Sequence, residues 1–173
     1  MAGLKGQGLE KRANKANLQY RKAHTALIMQ IPVPLVLTNN GIIPKQSTVD
    51  FAGLISGGKY IAYDAKETMS KTSFPLGNIK QHQFLYLEMV NMLGGIGFFF
   101  IHFKSLYKDK AYYTPISLVS KYWNGPGRKS IPIKDFNKEW LIDIDDYLTQ
   151  IVKKRLWIII YYKKNTINNA RCL

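Results

Sequence analysis

The run TVDFAGLISGGKYIAYDAKET, residues 48–68, constrains the fold more than any other stretch of the chain. Two apolar segments flank Ser56-Gly57-Gly58, a spacing that predicts a β-hairpin. In a strand, residues i and i+2 share a face, so Asp64 points with Lys66 and Thr48 points with Asp50. Antiparallel folding at Gly57 brings Asp50 opposite Asp64. Two like charges so placed repel, and burial adds to the cost; a cation relieves both. Oxygen donors with no histidine or cysteine cluster point to Mg²⁺, with Mn²⁺ as its substitute, over zinc. Such an ion polarises a phosphodiester and helps generate hydroxide, while Lys66 neutralises charge developing on the phosphorane. The pattern is that of a phosphodiesterase site. For an Asp-x-Lys strand taken alone, a solvent-facing ion pair is the competing reading.

Charge supplies the substrate class. The 173 residues hold 25 Lys and Arg against 11 Asp and Glu, a formal charge of +14. That excess attracts a polyanion, and duplex DNA carries about one charge per 1.7 Å of its axis. Plain solubility and attraction to anionic membranes are the alternatives. A hydrophobic content of 46% excludes a disordered chain. The one cysteine, Cys172, forms no internal disulfide, which fits a reducing cytosol. No unbroken apolar segment follows the basic N-terminus. ALIMQIPVPLVL is interrupted by Gln30, Pro32 and Pro34, and LWIIIYY is far shorter than the roughly 20 residues that span a bilayer. The expectation is a soluble, cytoplasmic protein with no membrane segment.

Along the chain, residues 1–8 read as a flexible basic arm and Leu9 to His24 as a helix. The apolar run that follows reads as an edge strand or irregular arm because of its prolines, and TNNGIIPKQS as turn and loop. After the hairpin, FPLGNIKQHQFLYLEMVNMLGG reads as a helix capped by Asn78. Ile79, Phe84, Leu87, Val90 and Leu93 give it an apolar stripe, and Gly94-Gly95 ends it. IGFFFIHF is typical of a buried central strand. KAYYTPIS reads as a further strand, LVSKYW as a helical turn, NGPGRKSIP as a loop and DIDDYLTQIVKK as a helix. The tail RLWIIIYYKKNTINNARCL fits strand or helix. No repeat or linker divides residues 1–173, which read as one domain.

Other candidates are weaker. Glu10 reads as a surface glutamate paired with a neighbouring lysine rather than an additional acid of the site. GLISGGKY, residues 53–60, falls short of a phosphate-binding loop: it ends in tyrosine and precedes a strand, so no nucleotide cofactor is expected. His24, His82 and His102 lack zinc spacing. Lys11, Arg12 and Lys15 on the first helix, with Lys71, Lys80 and His82 flanking the site, are the candidate DNA contacts. Tyr112, Tyr113 and Trp123 read as core rather than base-stacking groups.

TVDFAG, KYIAYDAKET, TSFPLGNIKQHQ and GGIGFFFIHF, in that order and near that spacing, resemble the RecU-type Holliday junction resolvases, phage-encoded members included. These are PD-(D/E)xK, restriction-endonuclease-like nucleases. The resemblance covers residues 9–103, the catalytic core, and thins over 104–173. It implies an α/β fold with a central mixed sheet flanked by helices. It also implies Thr48, Asp50, Asp64 and Gln83 at a divalent-metal site, Lys66 as catalytic lysine, and a homodimer. The implied activity is a Mg²⁺-dependent endonuclease that resolves four-way DNA junctions by paired symmetric nicks, inside a bacterial host cell if phage-encoded. Three departures stand out. Asp64 replaces the usual glutamate, Val49 stands where a second threonine is common, and IPVPLVLTNNGIIPKQ supplies only a reduced stalk. A nuclease of the same fold acting on flaps or duplex, and a catalytically silent basic DNA-binding module, are the alternative readings.

Overall fold

A computed structural model describes residues 8–38, 41–44, 48–125, 127 and 129–153. The tail 155–173 and the arm 1–7 lie outside the described residues. One six-stranded mixed sheet organises the chain, and period-two alternation of side chains builds a layer on each of its faces. Its strands are β1 (Ala26–Gln30), β4 (Phe51–Ile55), β5 (Lys59–Thr68), β7 (Ile96–Phe103), β8 (Lys110–Pro115) and β10 (Leu141–Asp143), in the order β1-β4-β5-β7-β8-β10. All pairings are antiparallel except β5 with β7. That parallel pair needs a crossover. Strand β6 (Ser73–Pro75) and helix α2 (Gln81–Met92) make it.

All eight residues of β7 are buried, as the run IGFFFIHF predicts. Phe98 and Phe100 pack under helix α1 (Leu9–Lys22), whereas Phe99, Ile101 and Phe103 pack on the side of α2 and α3 (Ile116–Trp123). Each such burial is worth about 1.5–3 kcal/mol relative to exposure. β5 follows the same alternation: Ile61, Tyr63 and Ala65 face α1, and Ala62 faces α2. Asp64 therefore belongs to the α2 side.

On the α1 side, Phe51, Tyr63 and Phe98 stack across three neighbouring strands, with ring centroids 4.9 and 5.0 Å apart. The Tyr63 hydroxyl accepts from Asn17 Nδ2 at 2.9 Å, and Tyr147 donates to Asn17 Oδ1 at 2.5 Å. Tyr147 opens the helical run 147–153, the described part of the helix expected from DIDDYLTQIVKK. Its partner Asn17 is fully inside, which satisfies polar groups that burial otherwise penalises.

Four details differ from the expectations. Gly41–Pro44, expected as loop, is strand β3 and pairs with β2 (Leu35–Thr38) in a small separate hairpin. Helix α2 begins at Gln81 with Lys80 as its cap, because Leu76–Asn78 is spent in a 3-10 turn behind Pro75. Leu93 lies beyond the last turn and is 80% exposed, while Ile79, Phe84, Leu87 and Val90 are buried. Ser130–Pro132, at the end of a predicted loop, forms strand β9 against β6. The main hairpin turns at Gly57-Gly58, both with positive φ, the region glycine enters at no steric cost. No helix among the described residues is long and apolar enough to cross a membrane.

Helix α2 is fastened to the sheet at its far end. Asn91 Nδ2 donates to the Gly97 carbonyl at 2.8 Å, and the Gly97 N–H donates to Asn91 Oδ1 at 3.0 Å. A Cβ on Gly97 would stand 2.4 Å from the Leu87 carbonyl oxygen, so only glycine permits this approach. Gly97→Ala is expected to lower stability by about 1–3 kcal/mol through backbone displacement. Thermal unfolding reads the loss, and a shift of α2 away from β7 should lengthen the Asn91 bonds.

Candidate active site

The site forms where β4 and β5 reach the end of their ladder. Phe51 pairs with Tyr63, and one further step of that register sets Asp50 opposite Asp64. Asp50 precedes the first ladder residue, and its Oδ2 accepts the Ala65 N–H at 2.7 Å. A side chain thus takes the amide that ladder pairing leaves over. The Asp50 carbonyl accepts the Ile31 N–H at 2.8 Å, tying the same residue to the chain leaving β1.

Asp64 is wholly buried. Its Oδ2 accepts from Gln83 Nε2 at 2.6 Å. Among the described residues its Oδ1 has no hydrogen-bond donor aligned to it, and the Lys66 ammonium faces it at 2.5 Å. Gln83 is held in turn, for its Oε1 accepts the Lys80 N–H at 3.1 Å in the first turn of α2. These bonds fix which end of the amide meets Asp64. Gln83 turns its nitrogen to Asp64, and offering oxygen to an ion requires that amide to rotate.

Electrostatics single out the same group. Burial pushes the Asp64 carboxyl up to about 7, the Asp50 charge adds to the rise, and Lys66 opposes it. Asp50 is also raised, first by burial, against the pull of the Ala65 N–H and Lys66. Glu10 is raised by partial desolvation and by Asp50 and Glu67, with Lys66 acting the other way. Three carboxyls with raised values around one ammonium leave surplus negative charge when all ionise, which suits a divalent cation. Among the described residues, no three His, Cys, Asp or Glu side chains form a ligand group by themselves. The Asp50 and Asp64 carboxylates with neighbouring amide or hydroxyl oxygen are hard donors, of a kind that would hold Mg²⁺ or Mn²⁺ more readily than zinc.

Asp50, Asp64, Lys66 and Gln83, expected together, converge. Thr48 lies in the exposed bend two residues before Asp50. Lys11, Lys15, Lys71 and Lys80 are exposed and His82 is half-buried. Arg12 is a correction. Its guanidinium donates to Asp145 at 2.6 and 3.2 Å, to Asp109 at 3.1 Å and to the Lys108 carbonyl at 3.0 Å. With its charge and donors spent on two loops, it is an anchor for α1 and not a free phosphate contact.

Glu10, expected to pair with a neighbouring lysine, lies instead within the electrostatic reach of Asp50 and Lys66. No lysine stands within ion-pair distance of it among the described residues; instead it accepts from Gln30 Nε2 at 3.5 Å. Gln30 is the register partner of Phe51, next to Asp50. The available signal was its place beside Leu9, whose helical face (Leu9, Ala13, Ala16, Tyr20) turns to the sheet.

The RecU family model, Recombination protein U, matches residues 4–153. The chain is 38% identical over 152 residues to the Oenococcus oeni protein named Holliday junction resolvase RecU, covering 79% of this chain and 76% of that one. It is 34% identical over 169 residues to the protein of that name from Leuconostoc mesenteroides, with 87% and 82% covered. For the Staphylococcus epidermidis protein of that name the identity is 35% over 151 residues, with 79% and 71% covered. On a match across most of its length, with the two-carboxylate, lysine and glutamine cluster at the hairpin's end, the chain belongs to the RecU family.

Proposed function

We propose that this protein is a divalent-metal-dependent endonuclease that resolves four-way DNA junctions. The carrying observation is Asp50 and Asp64 meeting at the end of β4 and β5, with Lys66 2.5 Å from the buried Asp64 oxygen. The relatives' shared name, Holliday junction resolvase, supports the substrate. Asp50 and Asp64 would hold the ion, Mg²⁺ by preference and Mn²⁺ as substitute, assisted by Gln83 and Thr48. When bound, it supplies Lewis-acid activation of the phosphodiester and of the attacking water.

The chain's own groups do the rest. Burial pushes the Asp64 carboxyl up to about 7, so the site gains its full negative charge only near neutrality. Lys66 is 17% exposed, buried enough to act in a low-dielectric setting and open enough to reach a phosphate oxygen. Gln83 keeps the Asp64 carboxylate from turning. Lys11, Lys15, Lys71 and Lys80, all exposed, are suited to phosphates of the DNA arms. A four-way junction has near two-fold symmetry, and paired nicks need two copies of one site related by a dyad, hence a homodimer.

The small β2–β3 hairpin favours keeping a second reading, a nuclease of the same site acting on flaps or duplex. Two four-residue strands make a slight probe for a junction centre. Labelled four-way junctions, flaps and linear duplexes in Mg²⁺ separate the two. Selective cutting of the junction is expected, and equal cutting of all three would remove the resolvase reading.

Asp64→Asn should abolish cleavage while leaving junction binding largely intact in gel-shift titrations. Lys66→Ala should lower kcat by about 10²–10³-fold with similar binding. Wild-type protein that cuts nothing in either Mg²⁺ or Mn²⁺ would leave a DNA-binding module.

The raised Asp64 value sets two opposite pH dependences. Ion binding needs the carboxylate, so Mn²⁺ affinity should climb as pH rises toward about 7 and then level off. Metal-free stability runs the other way. The folded value lies above the unfolded one, so Asp64's contribution is complete below the ordinary aspartate range and is lost as pH rises through about 7. Unfolding in chelator across pH 4–8 should show that decline, reduced in Asp64→Asn.

A further inference from the structure

Glu67 is the next residue of β5 after Lys66, on the opposite face, and nothing in the chemistry above uses it. Helix α1 begins at Leu9 behind Gly8, which offers no side chain to cap it. Glu67, 58 residues away, fills that role: its Oε1 accepts the Leu9 N–H at 3.0 Å. A carboxylate at a helix N-terminus satisfies an otherwise orphaned donor and meets the positive end of the helix dipole.

The carboxylate is itself braced. Lys104 Nζ donates to Oε2 at 3.4 Å. Its register partner on β7, His102, donates from Nε2 to the Tyr107 carbonyl at 2.8 Å, and its Nδ1 lies 3.5 Å from Oε1 without a hydrogen bond, so Lys104 and the Leu9 N–H do the bracing. The strand end, the β7–β8 turn and the first turn of α1 thus meet at one side chain. The residue immediately after Leu9 is Glu10, which reaches Gln30 beside the Phe51–Asp50 corner. Where Leu9 is pinned decides where Glu10 sits.

We propose that Glu67 is a positioning residue of the metal site: by holding the first turn of α1 against the end of β5, it sets the carboxylate of Glu10 beside Asp50 and Lys66. The proposal rests on reading Asp50 and Asp64 as a divalent-cation site. It gives the second acid in the run DAKE a task distinct from ligation, since both its oxygens are committed elsewhere.

The test uses the full chain and Mn²⁺ alone, read by titration calorimetry, with amide exchange at Leu9 and the unfolding temperature alongside. Glu67→Ala should weaken Mn²⁺ binding by about tenfold, the usual cost of losing a group that orients a ligand, and should speed exchange at Leu9. Glu67→Gln, which keeps a carbonyl for the Leu9 N–H, should recover most of both. Glu10→Gln should also weaken Mn²⁺, and adding Glu67→Ala to it should cost nothing more, because Glu67 acts through Glu10. If Glu67→Ala does not fold, Glu67→Asp, one methylene short of Leu9, is read in its place. Additive losses in the double variant, or undiminished Mn²⁺ affinity in Glu67→Ala with fast exchange at Leu9, would overturn the proposal. Undiminished affinity in Glu10→Gln would overturn it at Glu10, and in Asp64→Asn at the cation site itself.

Discussion

Burying Asp64 is the constraint around which the other parts are arranged. A lone carboxylate inside a sheet is costly unless charge and hydrogen bonds answer it. Here each oxygen meets a different element. Lys66 answers from two residues on in the same strand, and Gln83 from the first turn of α2. That answer is incomplete, for Asp50 adds a second negative charge nearby and the carboxyl stays well above its ordinary range. A fully neutralised Asp64 would be more stable and would have little use for an ion. The residual imbalance is what suits the place to the cation proposed for it.

Positioning follows from how the sheet is filled. Because β7 buries all eight side chains, both faces of the sheet carry a packed layer, and β5 is fixed against it residue by residue. The stacked rings of Phe51, Tyr63 and Phe98 lock the three strands on the α1 side, while Asn91 and Gly97 lock α2 on the other. Asp64 and Gln83 thus meet through two rigid supports, with no loop between them and the core. Side chains held this way lose little freedom when a ligand arrives.

The hairpin, the buried central strand and the pairing of Asp50 with Asp64 were legible because each is written in a short stretch with a clear period or turn. The start of α2 was not. Asn78 is a good cap by type, yet Pro75 and a 3-10 turn leave the role to Lys80, three residues from the Gln83 that completes it. Strand β3 hides in GIIP, whose proline and brevity read as loop. Arg12 and Glu10 show a deeper limit. Arg12 looks like any surface arginine until Asp109 and Asp145, 97 and 133 positions away, come to meet it. Glu10 looks like any helix glutamate until β1 and β4 pass beside it. Partners so distant leave no local trace, whereas hydrophobic periodicity does.

The layer behind Tyr63 joins remote parts of the chain: Asn17 to Tyr147, Tyr20 to Leu148 and Arg12 to Asp145. During synthesis the hairpin with both aspartates leaves the ribosome long before residue 147. Until then α1 lacks the helix that closes over it, and the aromatic wall under the strands stays wetted on one side. An unfinished polypeptide therefore carries the acids without the scaffold that aims them, and nuclease competence waits for the stretch around residue 147.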